Sequence, residues 1–353
     1  MAADGTTAGR PRRITLADVA ELVGVSKSTA SRALAGDTRI SEPTRHAVAE
    51  AAAKLGFVPD ASARSLRVRS TKTLGMLLGD LGDPYQGMVA AAFEAQARLR
   101  GYTVLFLAGH FRRELEKVAI GTFAERRVDG LALLSSAVDP VEVRTRWHQE
   151  RVVDVQPDAG APLRGGGGLR GDARPGVIRT DDVAGMTAVI NHLADVGCRS
   201  VAYLGVTGRS AGTLRRETAR KVLKARTGAA LRIVEVGAEA GEDPTLVAEA
   251  IGADLPDAIV CYDDTLALVA LDGLRSRGVR VPEDVAVVGF DGIPFAAWSN
   301  PRLTTVMTPM EQIGRLAADT LVLAIEIGDM ADAQVLPVEL AIRASSTRTA
   351  ASG

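Results

Sequence analysis

The stretch from Leu16 to Phe57, LADVAELVGVSKSTASRALAGDTRISEPTRHAVAEAAAKLGF, divides into three short amphipathic segments. Gly24-Val25-Ser26 separates the first two, and Ala35-Gly36-Asp37 the second and third. A connection that tight fits a helix-turn-helix. Thr15 and Ser26 stand where N-caps are needed, and Asp18 in the first turn favours the helix dipole. The spacing predicts helices over 16–23 and 27–34. A third opens at Ser41-Glu42-Pro43, where cap, acid and early proline coincide, and ends at Gly56, a position that prefers a left-handed residue. Leu16, Val19, Leu34, Val48 and Leu55 supply a small core.

In the middle helix, Ala30, Ala33 and Leu34 fall on one face, suited to packing on Ala17, Val19 and Ala20. Lys27, Ser28, Ser31 and Arg32 point outward. A helix fits the major groove of DNA, where residues at its N-terminal end meet base edges and hydroxyls and amides bind phosphates. Arg32 is the candidate for a bidentate guanine contact. On this run alone, ordinary solvated helix residues are the competing interpretation.

The chain has 353 residues, 46% hydrophobic and 24% charged, which is too long for a single typical core. Its net charge of −1 is unevenly placed. Residues 1–72 hold 12 Lys/Arg against 7 Asp/Glu, a net +5, which leaves −6 for the rest. Such asymmetry suits a small nucleic-acid module on a neutral or acidic body. Cys198 and Cys261 lie in apolar surroundings with no spacing for a disulfide framework or a metal site, so a reducing compartment is expected. The leader MAADGTTAGRPRR has no apolar run behind its charges, and no apolar stretch reaches the 18 residues of a membrane span. A cytoplasmic protein with no membrane association is expected.

Residues 1–13 are expected to be a disordered leader, 14–58 the helix-turn-helix headpiece, and 59–72 a basic linker. Asp60 there caps a helix over 61–67, too short to be stable alone and expected to form on DNA. From Leu74 the pattern changes to apolar runs alternating with helices: TLGMLLGD, YTVLFLAG, VDGLALLS, RVVDVQ, GVIRTDD, SVAYLG, LRIVEVG, AIVCYDD and VAVVGFD. Near-continuous apolar strands between helices imply an α/β core of parallel sheets covered on both faces. The aperiodic run Gly160 to Pro175 is read as dividing two lobes. The expected N-lobe spans about 73–160 and 307–331, and the C-lobe about 176–304 and 334–345, within a core of 73–348. A ligand is expected at the carboxyl ends of the strands, in the cleft between them.

Several longer markers carry a family resemblance: ITLADVAELVGVSKSTASRAL, RISEPTRHAVAEAAAKLGFVPDASARSL, RRVDGLALL, RVPEDVAVVGFDGIPFAAWSNPRLTTV and a closing Arg343-Ala-Ser. From Ile14 to Arg348 the chain resembles the LacI family of bacterial transcription regulators. The resemblance implies a homodimer, with a tetramer as the alternative assembly, reading a pseudo-palindromic double-stranded operator. It also implies a two-lobed core similar to periplasmic sugar-binding proteins, whose small effector, a carbohydrate or related polyol, changes operator affinity.

By the same resemblance, Lys27, Ser28 and Arg32 match base-reading positions. Thr15, Leu16, Ser26, Thr29, Ser31 and Arg39 match contacts to the DNA, chiefly its backbone, and Leu66 matches a leucine wedged into the minor groove at the operator centre. Ala35 replaces a usual asparagine. For the effector, Tyr85, Asp181, Arg215, Asp263 and Asp291 match pocket positions. Asp83 and Gln86 depart from the usual N-P-F-F stretch, Asp263 replaces the asparagine of an N-D pair, and Thr213 and Thr218-Ala219 replace an arginine and a Gly-Phe.

Rival assignments are weaker. Gly166, Gly168 and Gly171 satisfy G-x-G-x-x-G, but no strand precedes them and no helix follows, so a surface loop is expected. His46, His110, His148 and His192 have no metal-ligand spacing. In the pairs Asp181-Asp182 and Asp263-Asp264, the first member is expected to face the cleft and the second to cap the next helix. No cofactor, metal or enzymatic activity is expected. A solute-binding protein without DNA regulation is the alternative that the core alone permits.

Overall fold

The computed structural model describes residues 14–57, 70–134, 138, 140–146, 151–155, 175–207, 212–238 and 240–347. The leader 1–13, the short helix over 61–67 with its wedge Leu66, and the glycine run around Gly166, Gly168 and Gly171 lie outside the described residues. The chain divides into two compact units, one ending at Thr71 and the other starting at Lys72.

In the first unit, helices α1 (Leu16–Val23), α2 (Lys27–Leu34) and α3 (Glu42–Leu55) occupy the predicted ranges. Local chemistry sets their ends. Asp18 accepts both the amide (2.7 Å) and the hydroxyl (2.8 Å) of Thr15. The Ser26 hydroxyl accepts the Thr29 amide at 3.1 Å. Gly56 closes α3 at φ 65°, a conformation costly for a residue with a Cβ. Val19, Ala20, Ala30, Ala33, Val48, Ala51 and Ala52 form the core, with Leu16, Leu34 and Leu55 partly buried against it. Ala17 is exposed instead of packing on α2.

The second unit has two six-stranded sheets. The first contains β1 (Thr73–Leu78), β2 (Thr103–Ala108), β3 (Gly130–Leu134), β4 (Val152–Val155), β5 (Val177–Thr180) and β11 (Gln334–Leu336), in the order β11-β5-β4-β3-β1-β2. The second contains β6 (Val201–Val206), β7 (Arg232–Val236), β8 (Ala258–Cys261), β9 (Ala286–Asp291), β10 (Thr304–Met307) and β12 (Glu339–Ala341), in the order β12-β10-β9-β8-β6-β7. Among the described strands, only β12, paired to β10, is antiparallel. All nine predicted runs are strands. The short β10, β11 and β12 were not anticipated.

Helices cover both faces of each sheet. Over the first lie α4 (Pro84–Leu99), α5 (Arg113–Glu125), α6 (Pro140–Arg146) and α12 (Met310–Ile327). Over the second lie α7 (Asp182–Asp195), α8 (Gly212–Thr227), α9 (Pro244–Ile251) and α10 (Asp264–Ser276), with the short α11 (Pro294–Trp298) after β9.

The expected lobe boundaries need correction. Val177–Thr180 opens no second lobe: it pairs with β4 and buries Ile178 beside Val153 and Val155 of the first. Gln334–Leu336 likewise pairs with β5. An aperiodic run marks a break in the chain, but pairing partners decide which sheet the next strand joins. The chain therefore crosses between lobes after Thr180, after Met307, and between Leu336 and Glu339.

Two features tie α12 into the first lobe. Gly314 brings it so close to α4 that a Cβ there would meet the Val89 carbonyl oxygen at 2.3 Å. At its far end Glu326 lies 3.3 Å from the Lys72 ammonium and 3.5 Å from Arg100, which also reaches Asp319 at 3.2 Å. Lys72 has φ 50°, places its ammonium 4.1 Å from the Tyr102 ring centroid and donates its amide to Asp129 at 2.9 Å. The first residue of the second unit is thus held from three directions.

Candidate functional site

On the first unit, Lys27, Ser28 and Arg32 are exposed along α2, with Thr29 and Ser31 half-buried. Ser26 binds the hydroxyls of Ser28 and Thr29, each at 2.8 Å. Arg32 Nε donates back to the Ser28 carbonyl at 3.3 Å, which lays its side chain along the helix. Thr15 and Arg39 are exposed and Leu16 is half-buried. Cations and hydroxyls thus share one short helix.

On the second unit, the carboxyl ends of β5, β8 and β9 gather a buried charge cluster. Arg215, on the first turn of α8, donates to Asp182 (2.8 Å), to the Tyr262 carbonyl (2.9 Å) and to Asp291 (3.4 Å). Its guanidinium carbon lies 3.6 Å from the Phe290 ring centroid. The Arg215 side chain is 8% exposed, that of Asp182 13% and that of Asp291 11%. Burial alone would lower the Arg215 pKa, but Asp182 and Asp291 outweigh it and hold the guanidinium charged. Burial pushes the Asp291 carboxyl well up; Arg215 opposes this, and Asp263, Asp264 and Asp83 add to it. Asp291 also has φ 105°, a strained conformation for a non-glycine residue, and its carbonyl accepts the amide and hydroxyl of Thr308 at 3.1 and 2.9 Å.

Arg215 and Asp291 therefore meet as expected, whereas the two acidic pairs are used the other way round. The first members cap: Asp181 accepts the Ala184 amide at 2.9 Å and Asp263 the Leu266 amide at 2.7 Å. The second members point inward. Asp182 pairs with Arg215, and Asp264, fully buried, accepts the amides of Gly292 and Ile293, each at 2.8 Å. Burial pushes the Asp264 carboxyl up to about 7, against the opposing Thr305 hydroxyl and those two amides. The physical reason is the helix start: the N-cap side chain turns onto the first turn of its own helix, and the next residue projects sideways.

Tyr85, expected in the pocket, is 7% exposed and packs in the first lobe's apolar cluster. Beside it Asp83 caps α4 through the Tyr85 amide at 2.9 Å and accepts from Gln86 at 3.1 Å; Gln86 in turn accepts the Gly79 amide at 2.7 Å. Asp182, Asp264 and Gln86 were missed as working residues, and only the doubled aspartates signalled the first two. Among the described residues, no group of three or more His, Cys, Asp or Glu is placed to hold a metal ion. No described helix is long and apolar enough to cross a membrane. Cys198 and Cys261 are both buried, and the Cys198 thiol donates to the Asp257 carbonyl at 3.8 Å.

Comparison with known proteins agrees with both halves. Residues 15–60 match the bacterial regulatory proteins of the lacI family, and residues 190–346 match the periplasmic binding protein-like domain. The HTH-type transcriptional repressor PurR of Vibrio cholerae serotype O1 is 30% identical over 313 residues, covering 87% of this chain and 90% of that protein. PurR of Proteus mirabilis is 30% identical over 331 residues, covering 92% and 94%. Among solved structures, the lac repressor dimer bound to operator and the anti-inducer ONPF superposes with a TM-score of 0.80 at 23% identity, over 96% of this chain and 100% of that one. The complex of the transcriptional regulator CelR with cellobiose superposes with a TM-score of 0.65 at 27% identity, over 94% and 100%. The chain belongs to the LacI family of bacterial regulatory proteins and is a DNA-binding transcriptional repressor with a ligand-binding core.

Proposed function

We propose that this repressor binds an uncharged polyol, a sugar or close relative, in the cleft lined by Arg215, Asp182, Asp291 and the Tyr262 carbonyl, and that occupancy shifts its operator affinity. The buried Arg215–Asp182–Asp291 cluster carries the reading. Two carboxylates fixed by one guanidinium accept neighbouring hydroxyls with well-defined geometry. Asp182 and Asp291 act on a single guanidinium, and Asp83, Asp263 and Asp264 add negative charge around Asp291. A phosphorylated or carboxylated ligand would meet that surplus unpaired. CelR, solved with cellobiose, supports the sugar class.

Lys27, Ser28 and Arg32 then read base edges, while Thr15, Leu16, Ser26, Thr29, Ser31 and Arg39 hold the DNA backbone. Leu66 wedges at the operator centre. The chain works as a homodimer in the cytoplasm, as a regulator and not as an enzyme. The effector must bind the operator-competent and operator-released states with different affinity, because equal affinity shifts nothing.

A gel shift with the protein's own upstream region, repeated with neutral sugars, nucleosides and sugar phosphates, tests this. A neutral polyol should change operator affinity, and Asp291→Asn should remove that response with DNA binding retained. A response confined to sugar phosphates, or undiminished in Asp291→Asn, would overturn it.

A further inference from the structure

Between residues 14 and 57 the chain carries five Lys/Arg and five Asp/Glu, so the described headpiece is formally neutral although it binds a polyanion. Its cations are not equally paired. Arg45 lies against Glu42. Arg39 is gripped by Asp37: Nε donates to Oδ1 at 3.0 Å and to Oδ2 at 3.2 Å, and Nη2 donates to Oδ2 at 2.7 Å. The Arg39 amide also donates to Asp37 at 3.0 Å, so one carboxylate fixes both backbone and guanidinium. Asp37 lies in the turn after the recognition helix, beyond Ala35 and Gly36, its amide donating to the Arg32 carbonyl at 3.0 Å. The Arg39 hydrogen bonds, with the Arg39 and Arg32 charges behind them, hold the Asp37 carboxyl down to about 2. It stays ionised at any working pH.

We propose that Asp37 is a specificity-setting residue: a built-in counter-charge that masks Arg39 against DNA of arbitrary sequence. This rests on the assignment of Arg32 and Arg39 to the DNA surface. Nonspecific affinity comes almost wholly from cations that displace condensed counterions from phosphates, and an arginine already paired with a carboxylate displaces few. Arg39 Nη1 takes no part in the Asp37 bonds. A single phosphate can share the fork through it once base contacts have seated the helix. On random DNA no base contacts offset the repulsion between phosphate and Asp37. The carboxylate thus lowers affinity for both kinds of site, and lowers it more for the wrong one. An asparagine would keep one acceptor for the Arg39 amide while removing the charge and the second oxygen that grips the guanidinium, which separates the masking role from the local backbone one.

The test uses the full-length protein on two duplexes: an operator selected from randomised DNA by the wild type, and a mixed-sequence duplex of equal length. Affinities are measured over a range of salt concentrations, with circular dichroism confirming that each variant is folded. Asp37→Asn should raise mixed-sequence affinity about three- to tenfold and steepen its salt dependence by about one counterion per headpiece. Operator affinity should change less, so the ratio between the two falls. An unchanged mixed-sequence affinity and slope, or an equal rise on both duplexes, overturns the proposal. Arg39→Gln isolates the premise. Weaker operator binding in that variant upholds Arg39 as a DNA contact, and unchanged binding on both duplexes removes the premise and the proposal together.

Discussion

Arg215 and Asp264 show how a residue's charge state is set by what surrounds it. Replacing Arg215 by Met leaves Asp182 and Asp291 buried without their counter-charge. Breaking a buried pair by removing one partner costs about 3–5 kcal/mol, so urea unfolding of Arg215→Met should show a loss of that size at neutral pH and a smaller one in acid, which favours the neutral form of the Asp291 carboxyl that burial pushes up. For Asp264 the folded pKa, about 7, lies above the ordinary 3.8. The folded state therefore binds the extra proton, and the group's stabilisation is complete in acid and is lost as pH rises from about 4 through 7. Asp264→Asn keeps an acceptor for the Gly292 and Ile293 amides without titrating. The wild type, measured against this variant, should fall in melting temperature between pH 5 and 8, and a constant difference would contradict the shift. At this scale the sequence was partly legible. Doubled aspartates marked where the chemistry lies, but the choice within each pair depended on how a helix begins, which composition and spacing leave open.

The elements were easier to anticipate, because the hydrophobic pattern that specifies them is local. Lys27–Leu34 and the nine predicted strands declare themselves by period and by apolar continuity. Thr304–Met307, Gln334–Leu336 and Glu339–Ala341 do not, because three or four residues with polar neighbours carry no periodic signal and pair only once the sheet is assembled. The contact between α4 and α12 is equally hidden in the sequence, since a glycine inside a helix looks like a weakness until its neighbour is known. Gly314→Ala should force the two helices apart and cost about 1–3 kcal/mol. Gly121→Ala on α5, where a Cβ meets nothing within 4 Å, should be neutral or stabilise by up to about 1 kcal/mol. Thermal melts of the two variants give the comparison. Equal effects would mean that the close approach does not limit packing.

For the whole molecule, the order of the sheets could not be read from the sequence, because β11 returns to pair with β5 from far along the chain and β5 joins the sheet of β4 across the aperiodic run. The result is two lobes joined by three crossing segments, a connection that permits hinging but resists separation. With two headpieces held at fixed spacing, inserting about 5 base pairs at the operator centre turns one half-site to the opposite face of the duplex and should abolish high-affinity binding, while about 10 should restore part of it. A gel shift on the spaced operators checks this, and indifference to spacing would mean that each headpiece binds alone. The long helix α12 gives the crossings a mechanical meaning. It starts beside Thr308, which rests on the Asp291 carbonyl, and near its end Glu326 grips Lys72, where the chain leaves for the headpiece. Eighteen residues span about 27 Å, so a tilt of about 5° at the cleft becomes about 2 Å of travel at Lys72. If a ligand at the proposed effector site tilts α12, the helix acts as a lever that enlarges the movement at the root of the linker.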